Sequence, residues 1–154
     1  SGAAAAEVDV DRLATLVEDG GMDAPRMIYL IPTHHNPTAG TMSVESRRKL
    51  AEFAREHGVL VVADEVYHLL DWRDEKTDGR RPARMAEFNR PFGPSGGRDN
   101  GDGPGKGGRR TGSGKVGGCA SVSSFTKIFA PGVRVGWIEA PAPVVRDLAS
   151  YGYL

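Results

Sequence analysis

The stretch "VLVVADEVY", residues 59–67, decides the fold. Three valines, a leucine and an alanine run without a polar break, too short for a buried helix and rich in β-branching. That is the pattern of a strand buried on both faces, the habit of parallel sheets flanked by helices. Asp64 ends the run. Upstream, residues 44–57 place Leu50, Phe53, Ala54 and His57 on one helical face, with Ser43 as the cap and Gly58 as the stop. Before that helix comes "PTHHNPTAGTM" (32–42), a loop by its prolines, glycine and asparagine, and before the loop a short strand, "RMIYLI" (26–31). Strand, loop, helix, strand is a βαβ unit, so the reading is α/β: a mainly parallel sheet in three layers, helices outside. A first helix over residues 10–20 is capped by Asp9, with Val10, Leu13, Leu16 and Val17 as its apolar face.

Downstream the composition shifts. Residues 73–118 include "PFGPSGGRDNGDGPGKGGRRTGSGKVGG" (91–118), Gly-rich, polar and without periodicity. Such a segment buries too little apolar surface to offset its ordering entropy. It reads as a flexible low-complexity insertion, with one helical turn near "ARMAEF". Order returns with "CASVSS" (119–124) as a strand, a loop carrying Lys127, "VRVGWIEA" (133–140) as another strand beginning near Arg134, and a helix opened by Pro143.

The 154 residues allow one domain with a core. Twenty basic and twenty acidic side chains balance to zero net charge, which argues against nucleic acid or an anionic membrane as partner. No apolar run nears the ~20 residues of a membrane span. The single cysteine, Cys119, excludes an internal disulfide and suits a reducing compartment, cytoplasmic or organellar; it reads as a small core residue. The absent initiator Met and the end at "LASYGYL" read as a fragment.

Chemistry gathers at the carboxyl ends of strands in open α/β sheets. Asp64 stands at one. Alone it reads equally as a turn aspartate. A Walker B reading of "DE" fails, because the nearest phosphate loop, "RRTGSGKV", has Arg109 for the first glycine, Val116 after Lys115, and follows where it should precede. Tyr67 lies three residues on, on Asp64's side if the segment makes a helical turn. Asn36 sits in the Pro-Gly loop. His34 and His35 are adjacent and lack companions at metal-ligand spacing. Lys127 in "SSFTKIFAPG" is set among hydroxyls and aromatics. A nucleophilic lysine needs an amine neutral in part, which burial and a nearby cation favour. Arg134 offers a planar fork suited to phosphate, with Ser124 and Thr126 as further donors. Read alone, Lys127 fits a solvated loop lysine equally well.

In sequence order, Asn in a Pro-Gly loop, a capped helix, a strand ending Asp-x-x-Tyr, Ser-x-x-Lys, and Arg by a strand resemble the large domain of the class I/II aminotransferases, fold-type-I pyridoxal-phosphate enzymes. The resemblance covers roughly residues 27–67 and 119–140, within a partial large, cofactor-binding domain over 1–154. It implies pyridoxal 5'-phosphate as cofactor and no metal. It implies that Lys127 forms the imine and moves the proton, and that Asp64 pairs with the pyridine N–H. Tyr67 and Asn36 would hydrogen-bond the 3' oxygen, and Ser124 and Arg134 would bind the phosphate. It implies amino acid and 2-oxo acid substrates and a homodimer in the full-length protein, the fragment alone being inactive. An aminotransferase-like ligand-sensing regulator, or a lyase or synthase of the same fold, are the alternative readings. One departure stands out: the usual Asn-Pro-Thr-Gly has Ala39 before Gly40.

Overall fold

A computed structural model describes residues 8–72, 81–89 and 117–152. Its elements are α1 (Val10–Glu18), β1 (Met27–Leu30), α2 (Val44–His57), β2 (Leu60–Asp64), β3 (Gly118–Ser124), α3 (Phe125–Ile128), β4 (Gly136–Glu139) and α4 (Ala142–Ser150). Short 3-10 turns occupy His68–Leu70, Met85–Asn89 and Pro131–Val133. The strands form one sheet in the order β1-β2-β3-β4. The first three run parallel, and β4 returns antiparallel to β3.

Local chemistry explains the helices. Asp9 accepts the Arg12 amide at 2.9 Å and starts α1. The Ser43 hydroxyl accepts the Ser46 amide at 3.1 Å and starts α2. Gly58 ends α2 in the left-handed region at φ 67°, where a side chain is strained. Along α2 the residues at 47, 50, 51 and 54 recur at helical spacing and are all buried. They pack on Val61, Ala63 and Cys119 of the sheet. Burying an aliphatic side chain such as Leu50 contributes about 1.5–3 kcal/mol.

The sheet is covered on one face. In β2, Val61 and Ala63 are buried, while Leu60, Val62 and Asp64 are only half-buried. The continuous apolar run therefore does not report burial on both faces within the described residues. Parity and register put Met27, Tyr29, Val62, Asp64, Val122, Ser124 and Ile138 on the open face. Met27 and Tyr29 there are each 59% exposed. Among the described residues, α1 and α2 supply the core packed on this sheet, and the mainly parallel sheet with helices agrees with the expected α/β class.

The segment expected to be an insertion divides. Part of 81–89 joins the core: Met85 and Phe88 of the 3-10 turn are buried against β3, and Asn89 donates to the Cys119 carbonyl at 2.7 Å. Residues 73–80 and 90–116 lie outside the described residues. Arg134, expected to begin a strand, instead precedes β4 in the left-handed region.

Candidate active site

The carboxyl ends of β2 and β3 carry the candidate residues. Asp64 is the last residue of β2, half-buried and facing the open side of the sheet. Its Oδ2 accepts the Tyr29 hydroxyl at 2.8 Å, and its Oδ1 accepts the Val66 amide at 3.3 Å. Tyr29 pairs in register with Val62 on the neighbouring strand, which puts its ring on Asp64's face. The bond to the anionic carboxylate, then partial burial, raises the Tyr29 phenol above its ordinary value.

After Asp64 the chain turns through Tyr67 into the 3-10 turn at His68. Opposite, Ser124 ends β3 and caps α3, its hydroxyl accepting the Thr126 amide at 3.3 Å. α3 presents Lys127, whose Nζ lies 6.0 Å from the Tyr67 ring centroid, over its face. Lys127 is exposed. Thus the structure brings Asp64, Tyr67, Ser124 and Lys127 to adjacent strand ends, with Tyr29 added.

Arg134 sits at the same corner. Phe125 donates its amide to the Val135 carbonyl at 3.0 Å, which holds the Arg134 turn beside Ser124. Gly136 faces Ser124 across the ladder, and a Cβ there would stand 2.9 Å from the Ser123 carbonyl oxygen. Only glycine lets β4 approach so closely. Asn36 is exposed in the loop after β1. That loop closes on itself through His35 N–H to the Gly40 carbonyl at 2.8 Å and Ala39 N–H to the His35 carbonyl at 2.6 Å. Ala39 adopts φ 60° within that bend, in the left-handed region. Among the described residues, neither Asn36 nor Arg134 is hydrogen-bonded to the others of the set.

The histidines have structural partners. His34 stacks on Trp72 with centroids 5.4 Å apart, and His35 Nδ1 lies 2.9 Å from the Thr38 hydroxyl. Burial pushes the Cys119 thiol up to about 12, which makes it inert packing. Sequence reasoning missed Tyr29, Arg47 and Glu65. Arg47 was legible by spacing, since it shares the stripe of Leu50, Ala51 and Ala54. Tyr29 needed the strand register.

An anionic acceptor at one strand end, with an amine and phenol beside it and a hydroxyl and guanidinium at the next, can hold a ligand with a protonated ring nitrogen and an anionic arm. Comparisons with known proteins give that arrangement its class. The sequence matches the family described as aminotransferase class I and II over residues 3–152. The chain belongs to that family. It is 32% identical over 128 residues to an uncharacterised protein of Saccharomyces cerevisiae, covering 82% of this chain and 25% of that one. An aromatic amino acid aminotransferase of Schizosaccharomyces pombe is 32% identical over 132 residues, 83% of this chain and 25% of its own. The solved α-aminoadipate aminotransferase of Thermus thermophilus, complexed with N-(5'-phosphopyridoxyl)-L-leucine, matches at 25% identity and TM-score 0.63, over 93% of this chain and 29% of that one. The chain thus spans about a quarter of the length of the curated relatives it matches.

Proposed function

We propose that the protein carrying this chain is a pyridoxal-phosphate-dependent aminotransferase, moving an amino group from an amino acid to a 2-oxo acid. The observation that carries this reading is the convergence of Asp64, Tyr67 and Lys127 at the carboxyl edge of a parallel sheet, with Lys127 Nζ 6.0 Å from the Tyr67 ring. The donor set fits the cofactor: a half-buried carboxylate held from both oxygens, a hydroxyl-lined corner at Ser124, and an exposed Arg134 with no ion pair among the described residues.

When bound, pyridoxal phosphate supplies an electron sink for the substrate's Cα. Asp64 would pair with the ring nitrogen and favour its protonated form through opposite charge. Tyr29 fixes the direction of that carboxylate. Tyr67 and Asn36 would be the cofactor's hydrogen-bond donors, and Ser124 and Arg134 would hold its phosphate as hydroxyl and guanidinium. Lys127 would hold the cofactor through its amine, and that amine, when free, would be the group placed to move a proton at the substrate Cα. The exposure of Lys127 leaves it room for both tasks. By its family the full-length protein is taken as a homodimer.

The test is amino transfer by the full-length protein, loaded with pyridoxal phosphate and offered a panel of amino acids with 2-oxoglutarate. Stoichiometric glutamate and the donor's oxo acid are expected, and Asp64→Asn is expected to slow the reaction on the order of 100-fold. A loaded protein that transfers no amino group from any donor is a ligand-binding domain, and that result overturns the reading.

A further inference from the structure

We infer that Arg47 is a positioning residue for this site: its guanidinium fastens the Asn36 loop and the Asp64–Tyr67 turn to one buried point. The inference rests on the reading above.

Arg47 is fully buried, and each of its five N–H groups has a partner. Nε donates to the Met42 carbonyl at 3.1 Å. One terminal nitrogen donates to the Pro32 carbonyl at 2.7 Å and the Thr33 hydroxyl at 2.9 Å. The other donates to the Ala83 carbonyl at 3.0 Å and to Glu65 Oε1 at 3.4 Å. Pro32 and Met42 are the two ends of the loop that carries Asn36, and they are also joined to each other by the Met42 amide at 2.8 Å. Glu65 follows Asp64 directly. It is tied to β3 through its own amide, donated to the Val122 carbonyl at 2.8 Å, and it accepts the Met85 amide at 3.2 Å.

The distances rank the interactions. The bonds to carbonyls and hydroxyl are 2.7–3.1 Å, and the contact to the carboxylate is the longest. Arg47 therefore acts chiefly as a planar clamp on backbone, and its charge is secondary. A lysine would keep the charge opposite Glu65. Its compact ammonium on a flexible stem cannot span both loop ends, Ala83 and Glu65 together. Loosening the clamp frees the loop relative to the turn, so Asn36 and Tyr67 no longer meet one ligand atom in fixed geometry. Small misplacements of this kind are costly to sites that depend on orientation.

The experiment uses the full-length protein with Arg47→Lys and, separately, the double variant Arg47→Met with Glu65→Leu, which removes both buried charges together and fills their volume with apolar side chains. Two quantities are read: amide hydrogen exchange across residues 33–42 in protein stripped of cofactor, and the dissociation constant for pyridoxal phosphate. Exchange at the His35 and Ala39 amides is expected to rise at least tenfold in both variants, with a tenfold or greater loss of cofactor affinity and a shifted pH midpoint of the bound cofactor's visible band. Variants that exchange, bind and titrate as wild type does overturn the inference, whatever their stability. A wild type that binds no cofactor strikes instead at the proposed function, and the exchange data then decide the clamp alone.

Discussion

Among the described residues, three non-glycine residues hold positive φ: His34 at 51°, Ala39 at 60° and Arg134 at 54°. Each such conformation costs about 1–2 kcal/mol for an L-residue. All three lie in the loops that flank the strand ends bearing Asp64 and Ser124, where strain is held in place by surrounding structure. Ala39 is the clearest case, because its neighbours close the turn without help from its methyl group. Replacing it with glycine relieves strain but loosens the unfolded chain, so Ala39→Gly is expected to raise stability by up to about 1 kcal/mol. A urea midpoint below that of wild type would show that the turn is unstrained. The Tyr29–Asp64 bond makes a second residue-level statement. The phenol is raised by accepting less readily its own ionisation beside the carboxylate. Asp64→Ala should bring Tyr29 back toward its ordinary value of 10.0, read by NMR of labelled tyrosine. An unmoved titration would mean the bond does not persist in solution.

At the scale of elements, what is local was legible and what is long-range was not. α2 falls on residues 44–57 as its cap, stripe and glycine predict. β2 starts at Leu60, one residue later than the apolar run, because Val59 still bonds back to the Ala54 carbonyl at 2.9 Å. β4 is shorter than its apolar pattern, since the Pro131–Val133 turn and the left-handed Arg134 precede it. The turn at His68 carries a pH prediction. Burial drives the His68 imidazole from 6.5 down to about 4, favouring its neutral form in the folded state. That contribution is complete above pH 6.5 and is lost as pH falls through about 4. Glu65, whose carboxyl is raised by burial, works in the opposite sense over acid pH. Comparing wild type with His68→Gln isolates the histidine: urea midpoints are expected to fall less steeply between pH 6.5 and 4 in the variant. Equal slopes would show that His68 is solvated.

Among the described residues, a mainly parallel sheet carries the core helix α2 on one face, and the candidate site residues gather near the carboxyl ends of β2 and β3. The sequence order of Asn36, Asp64, Tyr67, Ser124, Lys127 and Arg134 was enough to suggest that edge, because the first five lie at or just beyond the end of a strand run and Arg134 just before one. Which residues support them was hidden. Tyr29 meets Asp64 only through the register of β1 on β2, and Arg47 meets Glu65 only once α2 is laid on the sheet. Apolar patterning in the strands of Met27 and Ile138 could not say which layer covers them. The central claim is that Lys127 holds the cofactor. The most direct measurement is borohydride reduction of the full-length protein loaded with pyridoxal phosphate, followed by digestion and mass analysis. A phosphopyridoxyl group on the peptide containing Lys127 is the result this account requires. A label on another lysine, or none, would contradict it.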